Sequence, residues 1–489
     1  MKKPLVLGID IGAQAAHIVV TDTKGNVMAD VHQDFSQAAI PGLPPGYLEQ
    51  DPDVWWEAVR LCLRQAISEL KKQGYTSEDI VAGAVDSNSD IIVLLDEENQ
   101  PLRPALLQDD RRAQVESEEV NREGAALRKK LGYRFDASFS LSKVLWLVRH
   151  EPEIWKKTRC LAHAADYILC KLTDIFCVTD QNNALKTGFD LMDFSWPDFI
   201  ESNLGIDKHR LPRVIRSGET VDHVSRHCAE ETGLAETTCI VAGMTNPCAN
   251  QIASGARRIG DWNTQLGMTI VVKGLTKNIL VDPLGRFYCN LHPQGYWMPS
   301  VASNVSAHIL DERFLDVNKA DFSRSALSLA PTALLVYPLT GKGEKFPFNN
   351  TDAESFIEGQ VQSEQELYVA NLEGLAYIER LIYGVLGSLG AEIRERIYST
   401  GNGAQNLEWM QIRTDVLGME CARVKNDSAA MGSAIVAASR TLFNSVEEAS
   451  AQMIQLDRVI SPRSHMVLHY ADSYPNFLDA CRRHGFVTI

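Results

Sequence analysis

Near the middle of the chain lies Val241-Ala242-Gly243-Met244-Thr245-Asn246-Pro247-Cys248-Ala249-Asn250-Gln251-Ile252-Ala253-Ser254-Gly255-Ala256, followed shortly by Trp262-Asn263-Thr264-Gln265-Leu266-Gly267-Met268-Thr269-Ile270-Val271-Val272-Lys273-Gly274. The apolar run from Cys239 to Ala242 reads as a buried strand entering a Gly/Thr turn. A small-residue helix then carries Ala249, Ile252, Ala253 and Ala256 on one face. A second apolar strand starts at Ile270, just past a glycine turn. Strand, turn and helix N-terminus together present backbone N–H groups to an anion. Taken alone, the segment is equally well two ordinary buried strands with tight turns.

The N-terminus tips the balance. Leu5 to Ile11 is an apolar strand interrupted by Asp10, with Gly12-Ala13-Gln14 as its turn, and Ile18 to Asp22 and Val27 to Ala29 continue the meander. The stretch from Gly260 repeats that plan: Trp262 to Leu266, the turn at Gly267-Met268, then Ile270 to Lys273. A hairpin with glycine at its tip, recurring once in each half, predicts a duplicated architecture with a cleft between the halves.

The bulk properties agree with two domains, since 489 residues exceed what one core usually serves. A net charge of −15 disfavours nucleic acid and anionic membranes as partners. No basic-apolar leader precedes Leu5 and no apolar run reaches the length of a membrane span, so a cytoplasmic protein is expected. The ten cysteines form no Cys-x-x-Cys pair and read as reduced core residues.

Several polar groups have possible chemistry. Asp10, at a strand end beside a glycine turn, is either a solvated carboxylate or one that meets a phosphate through a cation. Asp86-Ser87-Asn88-Ser89-Asp90 is a polar turn between an apolar strand and a returning one, Ile91 to Leu95. Gln108-Asp109-Asp110-Arg111-Arg112 is either a solvated turn with local ion pairs or a hydroxyl-binding carboxylate site. Asn246 before Pro247 is a natural helix cap. Together with Glu49-Gln50-Asp51-Pro52, Trp55-Trp56 and Ser399-Thr400-Gly401-Asn402-Gly403-Ala404, these stretches resemble the FGGY carbohydrate kinases, and within them the pentulose kinase branch. The resemblance spans nearly the whole chain in order.

That resemblance implies an α/β fold of two duplicated ribonuclease-H-like domains, the actin-like ATPase superfold, around a central cleft. Residues 1–245 would form the sugar-side domain and 246–489 the nucleotide-side domain. It implies ATP and Mg²⁺ as cofactors, a small sugar or polyol as substrate, and a homodimer as a common assembly. Asp10 (toward Mg²⁺ through water), Gly12, Ala13, Gly267, Met268, Thr269, Gly401, Asn402 and Gly403 would line the ATP phosphates. Asp110, Asp86 and Asn246 would lie on the substrate side, with Asp110 accepting sugar hydroxyls and Asn246 at the position of the catalytic base.

The departures from the family pattern collect at these turns. Ala13 lacks a hydroxyl worth about 1 kcal/mol of phosphate contact. His17 replaces a frequent arginine, Met268 a frequent Thr or Ser, and Asp90 brings a carboxylate where a small residue is usual. Asn402 crowds a glycine turn. Asn246 replaces the Asp that takes the proton from the attacking hydroxyl. Two function classes stay open: a sugar kinase slowed by Asn246, and a catalytically impaired relative that binds a sugar, a nucleotide or a protein.

Overall fold

The computed structural model describes residues 4–267, 269–315 and 317–486. The chain builds two compact units. The first comprises the chain up to Ala253 together with Asn290–Tyr296 and Asn426–Ile454, and the second comprises Ser254–Cys289, Trp297–Lys425 and the chain from Gln455 onward.

In the first unit, β1 (Leu5–Ile11), β2 (Ala15–Asp22) and β3 (Val27–Asp34) form the antiparallel meander predicted from the glycine tip and the Lys24-Gly25 turn. β1 also pairs in parallel with β4 (Ile80–Ser87). β5 (Thr220–His223) lies antiparallel to β6 (Cys239–Thr245), which is parallel to β4. The strand order is β5-β6-β4-β1-β2-β3.

Side chains alternate along β1. Leu5, Leu7, Ile9 and Ile11 enter a core with Trp55, Val59, Cys62 and Ile67 of the helix Asp53–Lys72. The opposite face carries Gly8 and Asp10 and meets the helix Ala429–Thr441. A Cβ on Gly8 would come within 1.7 Å of the Ala430 carbonyl oxygen, so only glycine permits this approach.

A second sheet in this unit orders Glu49–Gln50, Ala105–Leu106, Ile92–Leu95 and Cys160–His163. The expected return of Ile91–Leu95 along β4 does not occur. Asp90 takes φ 64°, and this left-handed residue sends the strand to the second sheet instead. The reduced-cysteine expectation also needs correction, because Cys160 and Cys177 form a disulfide with Cα atoms 5.7 Å apart. A spacing of 17 residues carries no motif; the fold brings the two together.

In the second unit, β7 (Trp262–Leu266), β8 (Ile270–Gly274) and β9 (Trp297–Ser303) form another antiparallel meander. β7 is parallel to β10 (Arg396–Thr400), β10 is parallel to β11 (Glu420–Val424), and β11 is antiparallel to β12 (Leu456–Ile460). The sheet has a seventh strand, Tyr288–Leu291, beyond β9. The run β11-β10-β7-β8-β9 repeats β6-β4-β1-β2-β3 of the first unit in order and direction, while the antiparallel edge strand follows its neighbour in the chain here (β12 after β11) and precedes it there (β5 before β6). The duplication read from two glycine-tipped hairpins is therefore present in these five strands.

The helix Glu364–Ser388 packs its apolar stripe into the core of the second unit. Within that core Glu379 accepts from Arg413 Nε at 2.7 Å and Nη2 at 2.6 Å, and from Thr264 Oγ1 at 2.6 Å. Pairing of this completeness is what makes two buried charges tolerable. No helix among the described residues is long and apolar enough to cross a membrane.

Candidate active site

β1 and β6 flank β4 on its two sides and, running parallel to it, end at the same edge of the sheet, which brings together the candidates from the two ends of the first domain. In register, Asp10 pairs with Asp86, and Asp86 with Met244. The next residues of the chain after β6 start the helix Asn246–Ala253. Its first residue, Asn246, donates from Nδ2 to Asp10 Oδ1 at 2.8 Å and accepts from Asn250 Nδ2 at 3.0 Å. The amide is thus oriented by both neighbours, with its N–H₂ toward the carboxylate.

Asp86 is fully buried and accepts from Ser433 Oγ at 2.6 Å. Its Oδ1 is buried without a donor of its own, although its carboxyl is in hydrogen-bond contact with Asp10. Burial first, and the charge of Asp10 second, push the Asp86 carboxyl well above the usual carboxylate range. Burial also raises Asp10, against the opposing hydrogen bond from Asn246. A single proton shared by the two carboxyls satisfies the orphaned oxygen and avoids two adjacent buried charges.

Asp110 lies elsewhere in the same unit and has no exposed surface. Its Oδ2 accepts from Leu48 N at 2.7 Å and Arg112 Nη2 at 2.7 Å, and its Oδ1 from Arg112 N at 3.1 Å and Nε at 2.9 Å. Arg112 also reaches Glu49 at 2.6 Å and lies 4.0 Å over the Tyr47 ring. A carboxylate so enclosed has no lone pair directed outward. Direct acceptance of sugar hydroxyls by Asp110 does not fit this geometry, while the ion-pair reading of the turn does. Its neighbour Asp109 is the exposed carboxylate of the pair.

The carboxylate of Asp90, which departs from the small residue usual in the family, would crowd or repel a substrate if it faced one. Instead it is buried, with Oδ2 2.5 Å from Lys186 Nζ and Oδ1 3.3 Å from Ser140 N. The fully buried Lys143 ammonium, between the Asp90 and Leu107 carbonyls, holds this turn to the strand leading toward Asp110. Burial lowers its pKa to about 8. The sequence reading missed Lys143, Lys186 and Ser433. Lys143 hides inside an apolar helical stripe, and Ser433 inside the small-residue run 429–439 whose packing partners are far away in sequence.

On the first hairpin, Gly12 N donates to Ala15 O at 3.0 Å and Ala13 is exposed at the tip. In the second unit Gly267 N donates to Thr269 O at 3.2 Å; Met268 lies outside the described residues. Gly401 has φ 81°, and a Cβ there would meet Leu266 O at 2.7 Å. A Cβ on Gly403 would meet Trp409 at 2.5 Å, so both glycines are dictated by the crossing of this turn over the end of β7. Asn402 opens a 3₁₀ turn with an exposed side chain and no positive φ, so this position does not require the backbone freedom of glycine.

Residues 5–252 match the N-terminal domain of the FGGY family of carbohydrate kinases, and residues 287–440 match its C-terminal domain. The chain is 27% identical over 485 residues to a xylulose kinase of Staphylococcus epidermidis, covering 95% of this chain and 94% of that one. It is 24% identical over 487 residues to a xylulose kinase of Bacillus subtilis, covering 96% of each. The fold is similar to that of xylulose kinase from Rhodospirillum rubrum, with TM-score 0.86, 23% identity and 98% of each chain covered. It is also similar to Plasmodium falciparum glycerol kinase with ADP, with TM-score 0.84, 18% identity and 98% of each chain covered.

Proposed function

Because the chain belongs to the FGGY family of carbohydrate kinases, we propose that it transfers a phosphoryl group from ATP to a hydroxyl of a ketopentose or related polyol, at a rate limited by Asn246. The observation that carries this reading is the Asn246 Nδ2 to Asp10 Oδ1 hydrogen bond at 2.8 Å. It puts an amide donor, rather than a proton acceptor, beside the carboxylate at the end of β1. An amide does not take a proton from an attacking hydroxyl near neutral pH. It can still hold that hydroxyl, and phosphoryl transfer depends more on positioning and charge than on early proton removal.

The xylulose kinase relatives support a ketopentose as the acceptor class. The groups assigned to the substrate side, Asp86, Asp110 and Asn246, lie in the first unit, and the glycine turns assigned to the phosphates, at Gly267, Gly401 and Gly403, lie in the second. Asp110 acts through Arg112 and the Leu48 backbone as a positioning residue. Asp10 suits Mg²⁺ held through water, since its half-buried carboxyl at the end of β1 offers hard oxygen acceptors for coordinated water. When bound, that ion would neutralise phosphate charge. Asn246 orients Asp10, Ser433 fixes Asp86, and the shared proton keeps the pair from carrying two charges. Ala13 removes a phosphate-side donor, so Mg²⁺-ATP binds weakly. A cytoplasmic protein, and a homodimer, complete the reading.

A coupled ADP-release screen over ketopentoses, polyols and hexuloses, run on the wild type and on Asn246→Asp, tests it. General-base catalysis contributes about 10²–10⁴-fold, so the substitution should raise sugar-dependent ADP release at least tenfold. A wild type already turning over at about 1–100 s⁻¹ and unchanged by the substitution would mean that the base lies elsewhere. Sugar binding by calorimetry without ADP release from either protein would favour a binding module.

A further inference from the structure

His17, Asp30 and His32 come together on the outer strands of the first sheet for reasons of register alone. His17 on β2 pairs directly with His32 on β3, and Asp30 precedes His32 by two residues and so shares its face. The imidazole rings stack with centroids 3.7 Å apart and planes 12° apart. Both Nε2 atoms turn toward one carboxylate oxygen: His17 Nε2 lies 2.9 Å and His32 Nε2 3.2 Å from Asp30 Oδ1. One ligand atom from each of the three residues falls within 4.8 Å of the others.

Tetrahedral bonds of about 2.0–2.1 Å to imidazole nitrogen and carboxylate oxygen place neighbouring donor atoms about 3.3 Å apart. The two nitrogen–oxygen spacings, 2.9 and 3.2 Å, need a shift of only a few tenths of an ångström to meet that value, and all three ligand atoms lie within 4.8 Å of one another. The residues are also reachable from solvent: the His32 side chain is 61% exposed and that of Asp30 46%. His17 is more enclosed, at 12%, and gives the cluster a fixed inner ligand.

We propose that His17, Asp30 and His32 form a site for a borderline divalent transition ion of the zinc class, with solvent or an exogenous ligand in the remaining position. Two imidazoles and one carboxylate suit Zn²⁺, Co²⁺ or Ni²⁺ and select against Mg²⁺ and Ca²⁺, which take oxygen shells. The site is separate from the Asp10–Asp86–Asn246 group and does not depend on the kinase reading. It is connected to that group through the sheet, since His17 is the register partner of Asp10. A bound cation would place positive charge one strand beyond the residue that faces phosphate.

The test uses the full-length chain freed of metal with a chelator, titrated with Zn²⁺ alone by calorimetry and with Co²⁺ alone by visible absorption. One Zn²⁺ per chain is expected, together with a Co²⁺ spectrum lacking a thiolate charge-transfer band. His32→Ala and Asp30→Asn should each weaken Zn²⁺ binding at least tenfold. Because both side chains are exposed, unchanged circular dichroism should accompany the loss. Cys239→Ser, which alters the half-buried thiol, should leave the titration unchanged, and a large excess of Mg²⁺ should not displace the ion. Absence of binding overturns the proposal, as does binding that His32→Ala leaves intact or that Cys239→Ser removes, or displacement by Mg²⁺.

Discussion

Asn246 shows how one atom type changes the work of a site. With an amide there, Asp10 keeps a donor at 2.8 Å and the pair needs no cation to be stable. Asn246→Asp replaces that donor by a third carboxyl beside the Asp10–Asp86 pair, which needs either a further proton or a metal ion to be accommodated. Loss of a hydrogen bond to a charged group costs about 1.5–3 kcal/mol. The variant should therefore melt below the wild type in chelator and recover much of the difference in Mg²⁺, whereas the wild type should respond less to the ion. Equal Mg²⁺ responses in the two proteins would contradict this account. Asp90 makes the complementary case. The carboxylate is buried and its charge is matched by Lys186 at 2.5 Å, so Lys186→Met strands a buried anion and should destabilise the chain by about 3–5 kcal/mol. Urea unfolding of the variant, compared with the double change Lys186→Met/Asp90→Asn, measures it; the double variant should recover part of the loss.

Among elements, what was legible is what is local. β1–β2 and β7–β8 announce themselves through apolar strands joined by a glycine-bearing turn, and neither needs a distant partner to be recognised. The helix Ala429–Thr441 was not legible as part of the site, because its significance lies in what it touches. Ser433 reaches Asp86 across a separation of 347 residues, and the fit of Gly8 under Ala430 is a fact of two surfaces. The enclosure of Asp110 and Asp90 was not legible for the same reason: their partners Arg112 and Lys186 are visible in the sequence, and a local ion pair was one reading at Asp110, but the burial of both carboxylates is a fact of the fold. Gly8→Ala is the sharp test of the helix contact. A methyl group cannot be housed 1.7 Å from a backbone oxygen, so the helix must move, at a cost of about 3 kcal/mol or more. Proteolysis should then cut near 426–454 faster than in the wild type. The disulfide makes a separate prediction about the same unit. Under denaturing, non-reducing conditions the chain should offer eight reactive thiols, and ten after reduction. Ten in both conditions, from protein purified without reductant, would show the pair to be open.

At the scale of the molecule, a buried carboxyl in the second unit and a buried ammonium in the first should shift stability in opposite directions, each in its own pH window. Glu373 in the second unit accepts from Thr332 Oγ1 at 2.5 Å and Tyr470 OH at 2.7 Å, yet burial outweighs these bonds and raises its pKa from 4.5 to about 7. The folded unit therefore binds a proton there that the unfolded chain has lost between those values. Its stability is fullest below pH 4.5 and falls as pH rises through 7, by about 3 kcal/mol for a shift of this size. Lys143 in the first unit works the other way. Burial lowers it from 10.5 to about 8, so between these values the unfolded chain holds the extra proton and stability rises with pH. Calorimetric scans at pH 5 and 7 should show the transition of the second unit moving down, and Glu373→Gln should reduce that movement. Scans at pH 8 and 10 should show gain in the other transition relative to Lys143→Met, because the methionine variant has no ammonium to discharge. If Glu373→Gln leaves the slope between pH 5 and 7 unchanged, the proton is held elsewhere in the second unit. If a single transition carries both effects, the two units unfold together, and the slopes should then appear in succession on that one transition, downward below pH 7 and upward above pH 8.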